Sequence, residues 1–297
     1  MLDPRGLYQI DPQVRGSLGE AQPVLLHLLD GYIDAGSVTR GLRKYILEQC
    51  ENRVLAQFDH DQVHDYRYRR PLFIFDTNHL EDIKDVSLAV HYALDSAGKP
   101  FLLLGGPEPD HQWHRAAAAV FQIVQDTQVN LLASASGVPM AVPHSRPTLV
   151  TQHATDPAIV SGNPIWIDRI QVPGSFSHFL EYYAGERGLL ASGFVAHVPH
   201  YVAQTTFPQA IAAVLERIND FCGLQIPIEP ITERADANIL TIDAETGDDG
   251  EFPALVAALE EQYDRLRESG AAAVPSAEEI GEAVERFLAE QEPPGNR

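Results

Sequence analysis

Val24-Leu25-Leu26-His27-Leu28-Leu29 runs straight into Asp30-Gly31-Tyr32-Ile33-Asp34-Ala35-Gly36-Ser37, and this join decides the fold. The run from Pro23 to Leu29 is almost continuously apolar and short, as expected of a strand buried on both faces. A helix is predicted to follow to about Cys50, with Leu42, Tyr45, Ile46 and Gln49 on one face at helical spacing. Val54, Leu55, Gln57 and Phe58 then form a second strand, so the chain opens β-α-β.

Outward from that unit, a polar stretch from Asp59 to Arg70 ends at Pro71 and the apolar Leu72-Phe73-Ile74-Phe75. Val86 to Leu94 alternates, and Ser96-Ala97-Gly98-Lys99 joins it to Phe101-Leu102-Leu103-Leu104 as a hairpin, which makes the sheet mixed. A helix from about His111 to Asp126 precedes a strand from Val129 to Ala133, and strands follow at Leu149 to Gln152 and Ile165 to Val172. A helix from Ser175 to Arg187 stops at Gly188, a strand runs from Leu190 to Val198, and Pro208 opens a helix ending before Gly223. This rhythm predicts an α/β layer fold with one large core over residues 1–223. A helical pair over 224–269 is expected to pack on that core. Residues 270–297 read as a linker and an acidic amphipathic tail helix, with Ser276 and Glu279 as its capping box.

The 297 residues carry 21 Lys and Arg against 42 Asp and Glu, a net charge of −21. Such a balance disfavours nucleic acid, whose binders gain affinity from cations that displace counterions. Cys50 and Cys222 are the two cysteines and form no paired motif, which fits a reducing compartment. With no apolar h-region and no run approaching a membrane span, the expectation is a cytoplasmic protein without membrane contact.

Several polar clusters follow predicted strands, where open α/β sheets collect ligands. Asp30 and Asp34 flank a glycine turn; they suit a cation or acid-base chemistry, or Asp34 caps the next helix. Asp65-Tyr66-Arg67-Tyr68-Arg69-Arg70 interleaves acids, tyrosines and arginines, the composition of an ion-pair network or a subunit contact, so Asp65, Tyr66, Arg67, Arg69 and Arg70 form a candidate interface. His60 and His64 have helical metal spacing but no further ligand motif, and no metal site is assigned. In Gly106-Pro107-Glu108-Pro109-Asp110, two prolines hold the carboxylates of Glu108 and Asp110 in a stiff turn, suited to catalysis or to capping. Gly137 to Pro147 reads as a shaped, proline-braced loop that presents His144 and Arg146. His197 and His200 close a strand and His153 follows an earlier one, without a spacing that fixes a zinc trio.

Phosphate-loop, dinucleotide, nucleophile-elbow and metalloprotease motifs are all missing, so no cofactor and no nucleophile is nominated. In order along the chain, Leu28 to Gly36, Asp65 to Pro71, Gly106 to Asp110, Gly137 to Met140, Val142 to Pro147 and His197 to Tyr201 resemble the proteasome assembly chaperone family named after its second chaperone subunit, in its actinobacterial branch. The resemblance covers about Pro23 to Arg267. It implies a three-layer α/β/α sandwich of the phosphorylase/hydrolase-like type with a mixed, mostly parallel sheet, and a homo-oligomer, guessed to be a trimer; it does not imply an enzyme activity. The family's chaperones dock on proteasome rings through a C-terminal hydrophobic-Tyr-any tripeptide, whereas the sequence here ends Gly295-Asn296-Arg297, so docking by that route is not expected.

Two readings follow. One is a non-catalytic, oligomeric assembly or scaffold factor whose partners are copies of itself and another protein complex. The other is a small-molecule hydrolase or ATP-grasp-like ligase in which Asp30, Asp34, Glu108, Asp110, His144, Arg146 and His200 line one crevice at the strand ends.

Overall fold

The structure, a computed structural model, describes residues 2–84, 87–160, 169, 171–246 and 250–269. Its strands are β1 (Tyr8–Ile10), β2 (Val24–Asp30), β3 (Glu51–Phe58), β4 (Leu72–Asp76), β5 (His79–Lys84), β6 (Ala89–Leu94), β7 (Pro100–Pro107), β8 (Leu131–Met140), β9 (Val150–Ala154) and β10 (Leu190–Pro199). Its helices are α1 (Pro12–Gly16), α2 (Val38–Gln49), α3 (His60–Val63), α4 (Trp113–Asp126), α5 (Phe176–Gly185), α6 (Pro208–Cys222), α7 (Glu229–Thr246) and α8 (Glu251–Ser269).

Eight strands form one sheet in the order β1-β3-β6-β7-β2-β8-β10-β9. The centre, β7-β2-β8-β10, is parallel, and the flanking pairs are antiparallel. Alternate residues of β2 therefore enter two different cores. Leu26 and Leu28 pack with α2, α6 and α7, while Leu25 and Leu29 pack with α4 and α5. Helices on both faces make this the α/β/α sandwich, and burial on both sides is why β2 reads as an unbroken apolar run.

Several local readings change. On α2, Gln49 is exposed and Cys50 takes the inward position. The shaped loop expected from Gly137 starts later: Ala196 to Pro199 of β10 pair with Gly137 to Met140 and draw them into β8. Leu72 to Phe75 do not enter the core; β4 and β5 make a separate two-stranded hairpin, every residue of which is exposed. Most of the strand expected at Ile165 to Val172 lies outside the described residues, as do the linker and tail helix beyond Ser269. No described helix is long and apolar enough to cross a membrane.

Beyond α6 the chain turns back over the core. α7 buries Ile231, Ala235 and Ile242 on one side, and α8 buries Leu259 and Tyr263.

Candidate functional site

The parallel strands β7, β2, β8 and β10 end along one edge, with Asp30 paired to Pro107 and Pro199 to Met140. The polar turns leave from there, in two groups.

In the first group, Asp30 receives two hydrogen bonds from the Arg43 guanidinium, at 2.8 and 2.9 Å, and Arg43 also donates to the Leu28 carbonyl at 2.9 Å. Asp34 accepts the amides of Thr39 and Arg40 at 2.7 and 3.1 Å, so it caps α2 from several residues upstream. Burial pushes the Asp34 carboxyl above its ordinary range, and these two amides pull against that shift. Glu108 also caps a helix, but not the one that follows it in sequence. Its Oε2 accepts the Phe176 amide at 2.7 Å, at the start of α5. Burial raises this carboxyl as well, opposed first by that amide.

Asp110 binds the Asp65 amide at 2.8 Å and the Arg69 Nε at 3.1 Å, which ties the Asp65 to Arg70 segment to the end of β7. Asp65 and Arg69 thus face inward, and the Tyr66 hydroxyl donates to Asp61 at 2.8 Å. Arg67 and Arg70 point outward and make no ion pair with a described residue. His60 and His64 stack with centroids 5.4 Å apart and Nδ1 atoms 3.2 Å apart, within hydrogen-bond distance of one another. Among the described residues no three His, Cys, Asp or Glu side chains are grouped to hold a metal ion.

The second group lies beyond β8 and β10. His144 is buried, with Nδ1 2.8 Å from the Tyr201 hydroxyl and Nε2 3.0 Å from Asp243 on α7. Its own amide donates to the same tyrosine oxygen at 2.9 Å. Arg146 grips Asp264 of α8 at 3.0 and 2.8 Å and reaches Glu260 at 2.9 Å, while Ser145 also donates to Glu260. Tyr263 of α8 closes the contact by donating to the Pro147 carbonyl at 2.9 Å. The loop is therefore an interface, but one within the chain. His200 is exposed, in ring contact with Tyr201.

The seven candidates thus leave from one edge of the sheet. Asp30, Asp34, Glu108 and Asp110 gather at the β2 and β7 ends, whereas His144, Arg146 and His200 gather at the β8 and β10 ends. A sizeable open groove, of about 470 Å³, lies elsewhere, lined by His153, Ala154, Thr155, His178, Glu181, Tyr182, Gly185 and Glu186. Of these only His153 had drawn notice in the sequence. The missed signal was His27, a polar residue inside the otherwise apolar run of β2.

A mixed sheet with a parallel centre, covered by helices on both faces, whose strand-end charges cap helices and clamp loops, defines an α/β/α sandwich that presents braced loops and an exposed arm. The chain belongs to the PAC2 family, whose model matches residues 28–243. It is similar to a Corynebacterium glutamicum protein of unknown function at 33% identity, covering 89% of this chain and 98% of that one with a TM-score of 0.82. A Mycobacterium tuberculosis protein of unknown function is 38% identical over 96% of both chains, with a TM-score of 0.84. A Mycobacterium tuberculosis proteasome-assembly chaperone homologue shares the fold, at 20% identity, 80% and 99% coverage and a TM-score of 0.72. No curated protein matches the chain.

Proposed function

We propose that this PAC2-family chain is a homo-oligomeric, chaperone-like assembly or scaffold protein of the cytoplasm that recognises protein surfaces and does no chemistry of its own. The observation that carries this reading is the β4–β5 arm. Leu72, Phe73, Ile74, Phe75, Leu80 and Ile83 are all exposed on it, with Leu72 at 69% and Phe75 at 66%. An isolated two-stranded hairpin is marginal in water, and an apolar one gains its stability from being covered. Tyr68, at 80% exposure, and the outward Arg67 and Arg70 extend the arm with residue types that anchor protein interfaces.

The occupant we favour is a second copy. A chain of net charge −21 supplies carboxylates to the unpaired arginines and is always present at matching concentration. The shared fold with a proteasome-assembly chaperone homologue supports a further role in the assembly of another protein complex. Free, buried Cys50 and Cys222 agree with a reducing compartment. The enzyme alternative loses its support at the strand ends, because six of its seven residues already serve as caps, ion pairs or loop clamps.

Light-scattering mass measurement of the full chain tests the reading, with a Phe73→Ser/Phe75→Ser variant beside it. The expected result is a discrete oligomer for the parent, a folded monomer for the variant, and a subunit number that decides whether the trimer holds. A monomeric parent, or an oligomer indifferent to the substitutions, overturns it.

A further inference from the structure

His27 of β2, Ser134 of β8, Gly193 of β10 and His153 of β9 are in register, so they form one row across four strands. The row lies on the face that α5 covers, because Leu25, Leu132 and Ala191, each two residues earlier, pack into the α4–α5 core. Gly193 allows the outermost residue to lean inward: a Cβ there would overlap the imidazole of His153. From α5, Glu181 lies 2.8 Å from His153 Nδ1, and the His178 ring centroid is 6.3 Å from that of His153. These three side chains line the 470 Å³ groove, together with Tyr182 and Glu186.

His27 sits at the inner end of the row, 1% exposed, and neither of its ring nitrogens has a hydrogen-bond partner among the described residues. A neutral imidazole carries one donor and one acceptor, and leaving both unmet in the interior is unfavourable. Burial pushes His27 down to about 4 and lowers His178, so both stay neutral at physiological pH. Burial alone would raise Glu181, but the His153 hydrogen bond holds it below its ordinary range. Glu181 therefore accepts a hydrogen bond from Nδ1–H of His153 at the inner wall of the groove.

The groove thus offers negative charge from Glu181 and Glu186, and no Lys or Arg is among the residues that line it. The same side chains are not grouped to hold a metal ion, and an anion would meet Glu181 and Glu186. We propose that the groove is a binding site for a small organic ammonium ion, a primary amine whose N–H groups donate to Glu181 while its apolar part lies on Tyr182. This site is on the β9 edge, across the sheet from the arm inserted between β3 and β6, and does not depend on the assembly reading.

Calorimetric titration of the full chain with benzylamine at neutral pH tests it, with benzyl alcohol, acetate and zinc chloride as parallel probes and histidine ring-proton NMR as a second readout. The expected result is saturable benzylamine binding that shifts the His153 and His178 signals, no response to benzyl alcohol or acetate, and affinity reduced by about tenfold or more in Glu181→Gln. Should that variant fold poorly, Glu186→Gln, an exposed change, is expected to weaken binding in the same direction. No saturable benzylamine response, equal response to benzyl alcohol, preference for acetate, or binding of zinc alone each overturns the proposal.

Discussion

Arg146 and Asp264 are 118 residues apart in sequence, yet the guanidinium of one meets the carboxylate of the other through two parallel hydrogen bonds, at 3.0 and 2.8 Å. The pair fastens α8 to the loop after β8, so the C-terminal helices are held by a fork that only arginine supplies. Arg146→Ala is expected to speed amide exchange throughout α8 while leaving the sheet protected, and Arg146→Lys is expected to recover only part of the difference. Protection of α8 unchanged in Arg146→Ala would rule the clamp out. The pH dependence has a definite sign. Hydrogen bonding to Arg146 lowers Asp264 from its ordinary 3.8, so the attachment is complete above that value and is lost as the pH falls through the lowered one.

Glu108 should matter for α5 rather than for α4. Glu108→Ala removes the acceptor for the Phe176 amide and is expected to cost about 1 kcal/mol, the usual worth of a helix cap. Glu108→Gln, which keeps an acceptor oxygen, should cost much less. Urea unfolding measures both, and equal losses would show that charge rather than the cap is what counts.

His27 and His197 predict acid sensitivity well above the carboxylate range. Burial pushes both imidazoles to about 4 from an ordinary 6.5. The folded state excludes protons that the unfolded chain accepts, so stability is full above pH 6.5 and declines as the pH falls towards 4. Each shift is worth roughly 3 kcal/mol over that window. Melting temperature followed across pH 4 to 7 should show the decline, and His27→Gln should flatten part of it. An unchanged slope would contradict the assignment.

Gly137 lies in β8 against the turn before α2, where a Cβ would overlap the Ala35 carbonyl oxygen. Gly137→Ala therefore has to push the strand and the turn apart. A loss of roughly 1–3 kcal/mol is expected by denaturant titration, as for other overpacked sites. A neutral effect would mean that the turn yields without cost.

Tyr201 joins the His144 amide and ring, and burial pushes its hydroxyl up to about 12. Tyr201→Phe leaves a buried donor and ring nitrogen unmet, with an expected loss of about 1–3 kcal/mol by thermal unfolding and faster exchange in α7. A variant as stable as the parent would show that water or another side chain replaces the hydroxyl.

The β2 run was legible because a strand covered on both faces must be apolar at every position, and α2, α5, α6 and β10 were likewise legible through periodicity and caps. The extent of β8 was not. Gly137 and Pro139 carry loop signals, and only pairing with Ala196 and Val198 makes them strand. The apolar Leu72 to Phe75 stood out, but their pairing with β5 as an exposed hairpin was not legible, because these residues have no core to alternate against.

By itself, the amino-acid order determined the doubly covered central strands and the amphipathic helices, how charge is apportioned, and which turns are stiff and polar, because those follow from contacts between near neighbours. Tertiary structure decided the assignments that link distant segments. It sent Glu108 to α5, gave Arg146 to α8 and lined up His27, Ser134, Gly193 and His153 in one row. Strand order and register set those partners, and neither is written in the spacing of residues along one segment.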